Sequence, residues 1–591
     1  MKISTKLTFF RELMRQHEID AYIIPSNDPH QSEYVADFWK SLEWISGFDG
    51  SAGTVVITKE HAGLWTDSRY FIQAKQQLSG SEIELHKVYD RSSPSFSRWL
   101  QENLESGDTV GIDGWVFSKS QEESLRKQFS SVEINLITHI DLIDQAWEDR
   151  PKMPNKLIFV HSIEYAGESV QDKIQKIRAY LKNEKAEYLL VTALDEISWV
   201  LNIRSSDVEC NPVTITYLLI GLNDILLFVN KEKTLDIKDH LTQNNITLLL
   251  YEDIKNELEK LKEPFRIILS KNQCNITLFD ALPTSSIVSK TSYIEELKAI
   301  KNDVEVGHIR QAMIQDGVAL AKAFFWLDAN IDTQEVSEFQ FSEKIRACRS
   351  ENELYRDESF GAIVGYKGNG AIVHYSADST DSAIIKKEGI LLCDSGGQYL
   401  NGTTDITRTI ALGPPDDDQK KANTLVLKGH INLDMAIYPE NTTGGQLDVL
   451  ARMPLWQHGL NFLHGTGHGV GFFLNVHEGP QGIAPSCNGR AKTYLKDGMI
   501  TSNEPGFYLE GQYGIRIENL ILTKKSNKDG FLEHETLTLY PIDKSLIDTN
   551  YLDERHISWL NKYHEKVWAL LSPHLNDDAI IKWLKPQCSP L

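Results

Sequence analysis

A chain of 591 residues is too long for one ordinary core, so two to four domains are expected. A hydrophobic fraction of 41% and a charged fraction of 24% are those of a soluble globular protein. With 61 basic against 83 acidic side chains the formal net charge is −22, which argues against a nucleic-acid-binding surface.

The N-terminus leads into an amphipathic segment with charges throughout and lacks the apolar core of a signal peptide. A helix is expected over 7–17 and an apolar strand over 19–24. A polar loop with Pro25 and Pro29 follows, then an aromatic helix around Tyr34, Phe38 and Trp39, then strands over 53–58 and 62–66. This alternation is that of an α/β unit. A mostly charged stretch over 148–154, with Pro151 and Pro154, marks a boundary.

The order then repeats. A helix over 170–183 leads to a strand over 188–191, a segment around Trp199 like that around Trp44, and strands over 213–220 and 224–229. An internal duplication is the reading. The last pair is the most apolar stretch of the chain, but Asn223-Asp224 interrupt it and it is too short to span a bilayer. From Tyr293 one long helix is expected through Trp326, with Val306, Ile309, Met313, Val318 and Leu320 as a core-packing stripe. Beyond Pro541 a helical tail carries Trp559, Tyr563, Trp568 and Trp583 and reads as an addition to the last domain. Six cysteines, Cys210, Cys274, Cys348, Cys393, Cys487 and Cys588, are scattered with no CxxC pair, which fits a reduced cytoplasmic compartment.

The chemistry-bearing residues come late. Residues 391–409 read as two strands joined by a Gly-rich turn region containing Asn401-Gly402, and each strand carries an aspartate, Asp394 and Asp405. Behind Ile390-Leu391-Leu392-Cys393, a lone carboxylate would be costly to ionise. Two on neighbouring strands make sense with cations between them, although either alone could simply cap a turn.

Three further features lie downstream. His464 and His468 stand in a run with four glycines over 464–471, which suits a loop where the backbone approaches something bound. Glu504 ends a strand stopped by Pro505-Gly506. Over 514–519, strand alternation puts Arg516 and Glu518 on one face and Ile515 and Ile517 on the other. Each has a bland reading as a turn or a solvated strand face. Together, four carboxylates would repel strongly in a partly dry cleft, and two divalent cations would cancel them. One imidazole among so many oxygens suits Mn²⁺, Co²⁺ or Zn²⁺ better than Cu²⁺.

The order Asp394, Asp405, His468, Glu504, Glu518, with HGTGHGVG, NEPG and GIRIEN around the last three, resembles the pita-bread metallopeptidases. HQSEYVADFW at 30–39, SGFDGSAGT at 46–54 and LWTDSRYF at 64–71 are similar to the first domain of cytosolic three-domain Xaa-Pro aminopeptidases. Residues 195–202 resemble their second domain and 559–564 their C-terminal tail, so the likeness covers essentially the whole chain. None of the five ligand positions departs from the pattern.

That resemblance implies an α/β (α+β) architecture: creatinase-type domains over 1–150 and 151–291, then a pita-bread catalytic domain over 292–591 with a helical extension. It implies two divalent metals, Mn²⁺ before Zn²⁺ or Co²⁺. Asp405 and Glu518 would bridge them, Asp394 would complete one site, and His468 and Glu504 the other. Arg516 would pair with a ligand carboxylate such as Asp394 and stand with Arg69, His374, His464 and His477 around the substrate. Glu504 would shuttle protons, and His374 or His477 would steady the reacting carbonyl. The activity implied is removal of the first residue from peptides with proline second, by a metal-bridging hydroxide, in a cytoplasmic homodimer with no nucleic-acid or membrane partner. The alternatives are a prolidase confined to Xaa-Pro dipeptides, and an inactive pita-bread module that binds peptides or proteins.

Overall fold

A computed structural model describes residues 2–88, 93–485 and 489–591, so Cys487 lies outside the described residues. The chain forms two units, one from Met1–Ile163 with Glu168–Ile294, the other from Glu164–Gly167 with Glu295–Leu591.

In the first unit, helix α1 (Ile3–Gln16) buries Leu7, Phe10, Leu13 and Met14. That spacing puts one apolar stripe against the sheet, where Tyr22, Val55 and Leu64 share its core. The strands are β1 (Ala21–Pro25), β2 (Thr54–Thr58), β3 (Ala62–Thr66), β4 (Glu84–Lys87), β5 (Thr109–Gly111) and β6 (Asn135–Ile137). They lie in the order β4-β3-β2-β1-β5-β6. The pairs β1–β2 and β2–β3 are antiparallel, and β1–β5, β3–β4 and β5–β6 are parallel.

A second sheet follows, with β7 (Tyr188–Val191), β8 (Tyr217–Gly221), β9 (Ile225–Phe228), β10 (Thr247–Leu249), β11 (Ile267–Leu269) and β12 (Ile287–Ser289). Its order, β10-β9-β8-β7-β11-β12, repeats the first position for position. The strand senses repeat too, with β7–β8 and β8–β9 antiparallel and the other three pairs parallel. This is the pattern a duplication leaves.

Two expected elements in this unit come out shorter. The aromatic helix is a single 3-10 turn, Asp37–Trp39, because the chain before it is a polar turn: Asp28 Oδ1 accepts from the N–H groups of His30 and Ser32 at 2.9 Å each. The strand expected from Val213 begins only at Tyr217, because the Ile215 N–H donates to Asp207 Oδ2 at 2.8 Å and not to a neighbouring strand.

The long helix expected from Tyr293 is two helices, Tyr293–Ala299 and Asp303–Asn330. Asn302 makes the break. Its side chain accepts from the N–H groups of Val304 and Glu305, and Glu305 accepts the Asn302 N–H in return. In and after the first helix, Lys298 and Lys301 both pair with buried Glu478. Val306, Ile309, Met313 and Leu320 are core residues as expected, with Val318 packed at the margin.

The second unit positions the late residues on two sheets. A three-stranded sheet holds β13 (Ile363–Tyr366), β14 (Ile390–Ser395) and β15 (Ile406–Ala411) in chain order. A six-stranded sheet is built from β16 (Ile437–Pro439), β17 (Gly467–Gly469), β18 (Glu478–Ile483), β19 (Ile500–Asn503), β20 (Asn519–Lys525) and β21 (Phe531–Thr536). Its order is β16-β21-β20-β19-β17-β18. The tail forms helices Glu554–Leu571 and Asp578–Gln587, and its Leu560, Tyr563, Val567 and Leu584 join the same core. Among the described residues no helix is long and apolar enough to cross a membrane.

Among the described residues, buried His534 on β21 has no hydrogen-bond partner at either ring nitrogen, and burial pushes its pKa down to about 3. The folded protein keeps it neutral while the unfolded chain protonates it below about 6.5. The unfolded state therefore binds more protons, and stability falls as pH drops through that value. Between pH 7 and 5 His534 should cost about 2 kcal/mol of unfolding free energy. His534→Phe should flatten the pH dependence of urea unfolding by that amount; parallel curves for the two proteins would refute the assignment.

Candidate metal centre

The centre forms where the two sheets of the second unit meet. On β14, Asp394 is registered with Ile363 of β13 and Thr407 of β15. Asp405 stands just ahead of β15, two residues before Thr407, so the two aspartates reach the same end of the sheet. On the other sheet Asn503 of β19 pairs with Asn519 of β20. Glu504 and Glu518 are the next residues beyond that pair, where both chains leave the sheet for a hairpin, Gly506–Leu509 with Tyr513–Arg516. Pro505 holds the junction by accepting from the Ile517 N–H at 3.4 Å.

The alternation expected through residues 514–519 does not persist, since the strand ends at Arg516 and a new one starts at Asn519. Glu518 is held instead by β15. Its N–H donates to Thr407 O at 3.1 Å, and Thr407 Oγ1 donates to Glu518 Oε2 at 2.8 Å.

His468 sits on a short strand and not in a loop. The glycines beside it are required by strand packing: a Cβ at Gly467 would lie 2.0 Å from Ser502 O, and one at Gly469 2.3 Å from Glu478 O. The His468 N–H donates to Ser502 Oγ at 3.0 Å, and Ser502 Oγ donates to Glu504 Oε1 at 3.2 Å. His468 Nδ1 is 3.0 Å from Gly469 O. A carbonyl can only accept, so Nδ1 carries the proton of the neutral ring and Nε2 presents its lone pair. That lone pair faces Asp405 Oδ2 and Glu504 Oε1, each 3.5 Å away.

Lone pair against carboxylate is repulsive unless a cation stands between them. One donor atom from each of Asp405, His468 and Glu518 lies within 4.8 Å of the others. Asp394 Oδ1 is buried without a hydrogen-bond partner among the described residues. Burial raises the pKa of Asp405, Glu504 and Glu518, and their charges on one another, with that of Asp394, raise them further. This donor set fits divalent cations: buried carboxylates that repel one another when ionised, and an imidazole lone pair turned toward them.

Arg516 anchors the other oxygen of Asp394, donating from Nη2 to Oδ2 at 2.6 Å. Its Nε donates to Thr407 Oγ1 at 3.1 Å, Nη2 also to Val373 O at 3.3 Å, and Nη1 to Tyr508 Oη at 2.7 Å. Tyr508 Oη is 2.8 Å from His464 Nε2, whose ring proton on Nδ1 faces Gly465 O at 2.7 Å. A chain of hydrogen bonds thus runs from His464 through Tyr508 and Arg516 to Asp394.

His477 packs its ring edgewise on His468, with centroids 4.3 Å apart. His374 is partly exposed and follows Val373, whose carbonyl meets Arg516. Arg69 belongs to the first unit, where it holds Asp67 with Nε at 2.9 Å and Nη2 at 2.8 Å, and lies 3.7 Å from Glu33. Sequence reading missed Thr407, Ser502 and Tyr508. Thr407 and Ser502 are each two residues from a ligand candidate, a spacing that strand period makes visible. Tyr508 had no comparable signal.

Residues 6–145 and 149–305 match the Creatinase/Prolidase N-terminal domain, 307–525 match Metallopeptidase family M24, and 530–591 match the C-terminal region of peptidase_M24. The two creatinase-type modules and the metallopeptidase domain expected from the sequence are therefore all present. The chain is 42% identical to a probable Xaa-Pro aminopeptidase P of Laccaria bicolor, over 99% of its own length and 93% of that protein's. It is 37% identical to aminopeptidase P2 of Arabidopsis thaliana, over 100% and 89%. Among solved structures it is similar to an X-prolyl aminopeptidase from Caenorhabditis elegans, described as a cytosolic enzyme with a di-nuclear active site. The TM-score is 0.96 at 34% identity, covering 100% of both chains. A Xaa-Pro dipeptidase from Bacillus anthracis shares the fold over only 64% of this chain, at a TM-score of 0.51 and 24% identity. Likeness of this extent and level means that the chain belongs to metallopeptidase family M24, within its Xaa-Pro aminopeptidase P branch.

Proposed function

We propose that the protein is an Xaa-Pro aminopeptidase, releasing the first residue from peptides whose second residue is proline. The observation that carries this reading is the cage of Asp405, His468 and Glu518, with donor atoms within 4.8 Å, in a chain similar throughout to aminopeptidases P. Asp405 and Glu518 are assigned to both of two divalent cations, Asp394 to one, and His468 and Glu504 to the other. Four carboxylates to one imidazole favour an oxygen-seeking ion, and Mn²⁺ is the assignment. When bound, such ions acidify a water and polarise a carbonyl.

The peptide bond to proline has no N–H, so its recognition must rest on the carbonyl and the ring. His374 and His477 are assigned to carbonyl oxygens and His464 to the flank of the second residue. Arg69 is assigned to the more distant peptide, and Arg516 to the orientation of Asp394. Hydrolysis adds water oxygen to the carbonyl carbon, breaks the C–N bond and needs a proton on the proline nitrogen. Glu504, steadied by Ser502 Oγ, is the carboxylate assigned to take the water proton and deliver it. The domain division at about residues 150 and 291, a homodimeric state and a cytoplasmic location belong to the same proposal.

The test is hydrolysis of Arg-Pro-Pro beside Arg-Pro after reconstitution with Mn²⁺. The tripeptide should be cut far faster, and Glu504→Gln should lose roughly 100-fold or more of that turnover with its fold retained. Preferential cleavage of the dipeptide would overturn the substrate assignment, and a fully active Glu504→Gln the proton-transfer role.

A further inference from the structure

Far along the chain from the acidic cage, the edge of the first sheet carries another convergence of donors. Strands β3 and β4 run parallel with Gly63 opposite Glu84 and Trp65 opposite His86. Strand period places Glu84 and His86 on one face of β4, and His61, just ahead of β3, falls in step with Gly63 and Trp65. His61 Nε2 and His86 Nε2 are 3.4 Å apart. One Glu84 carboxylate oxygen and one ring nitrogen of each histidine lie within 4.8 Å of one another. Glu84 Oε2 is also 3.9 Å from His61 Nδ1.

The surroundings are shaped for this meeting. Gly63 leaves the room: a Cβ there would stand 2.8 Å from His61 Nε2, 2.8 Å from His86 Cδ2 and 2.7 Å from Trp65 Cζ3. Trp65 stacks on His86 with centroids 3.9 Å apart and planes 5° apart, and Trp99 lies 4.5 Å from His61 at 30°. Both imidazoles are thus backed by an indole, which fixes their planes and leaves their nitrogens turned to each other.

A single N–H···N bond between neutral rings is the bland reading, but 3.4 Å is long for one. The same separation is the edge of a tetrahedron whose centre is about 2.0–2.1 Å from each nitrogen, the usual Zn–N distance. Burial also holds both imidazoles below the ordinary histidine pKa, so they offer lone pairs at neutral pH.

We propose that His61, Glu84 and His86 form a separate site for one zinc-class divalent cation, with water completing a tetrahedral set. Two nitrogens and one oxygen favour Zn²⁺, Ni²⁺ or Cu²⁺ over Mn²⁺, the reverse of the oxygen-rich cage. β4 ends its sheet, with β3 as its paired neighbour. A cation gripping both strands would fasten that edge.

The test uses the full chain, first loaded with Mn²⁺, then equilibrated with Zn²⁺, with total divalent metal counted per chain. Wild type should hold one equivalent more than His61→Asn, and Glu84→Gln should weaken the Zn²⁺ affinity of that equivalent roughly tenfold or more. The Glu84 side chain is 67% exposed, so its replacement leaves the fold to carry the comparison. Cu²⁺ should quench Trp65 and Trp99 emission in wild type and not in His61→Asn. Equal metal counts and equal quenching in wild type and both variants would overturn the site. Asp405→Asn should keep the extra equivalent, so failure of the acidic cage and failure of the edge site give different counts.

Discussion

Asp405→Asn should abolish metal loading of the acidic cage and lower turnover by roughly 100- to 1000-fold at least, the scale of losing a single electrostatic contact to the reacting centre. Asp405 is buried, and its Oδ2 faces the His468 lone pair at 3.5 Å. Its carboxyl is destabilised by burial, then by Glu518, Asp394 and Glu504. An amide there carries no charge to offset a cation and turns an N–H₂ or a weaker oxygen into the cage. The same repulsion makes the stability effect opposite in sign without metal. In a chelator, removing one of four mutually repelling acids should leave the melting temperature unchanged or higher. With excess Mn²⁺, wild type should gain stability by mass action and the variant should not. Calorimetry in both buffers, with elemental analysis, reads these effects. A variant that binds two metals and turns over normally would show that Asp405 is no ligand.

Arg516→Ala should cost about 3–5 kcal/mol of stability, the scale of leaving one partner of a buried ion pair uncompensated. Arg516 is buried, and its guanidinium serves Asp394, Thr407, Tyr508 and Val373 at once. Arg516→Lys should recover only part of that loss, since an ammonium is a point charge and cannot reach four partners lying in different directions. The hydrogen-bond chain to His464 through Tyr508 would break in either variant, so KM for proline-containing peptides should rise in Arg516→Lys even where it folds. Urea unfolding and steady-state kinetics measure the two parts. A loss below about 1 kcal/mol in Arg516→Ala would mean that water or another cation takes over the Asp394 charge.

The repeated sheet was legible because hydrophobic runs and their spacing report strands directly, as at Tyr188–Val191 and Ala62–Thr66. The candidate cage was legible because its five residues sit in distinctive short motifs. What escaped was set by contacts distant in sequence. Strand alternation ran unbroken from Arg516 to Glu518 and did not register the Asn503–Asn519 pairing and the Thr407 contacts, where one strand ends and another starts between them. The glycines around His468 looked like room for a ligand, whereas Gly467 and Gly469 make room for the backbones of Ser502 and Glu478. A helix expected to run on from Tyr293 concealed a capping box at Asn302, since propensity alone does not register a side chain that starts a new helix. Tyr508 joins His464 to Arg516 by length and direction of its side chain, which no local pattern encodes.

The most direct measurement is anomalous diffraction at the manganese edge from crystals of the Mn²⁺-loaded protein. Two peaks per chain are expected, both in contact with Asp405 and Glu518, one also reached by Asp394 and the other by His468 and Glu504. A single peak, or peaks that those five side chains do not touch, would contradict the shared cage.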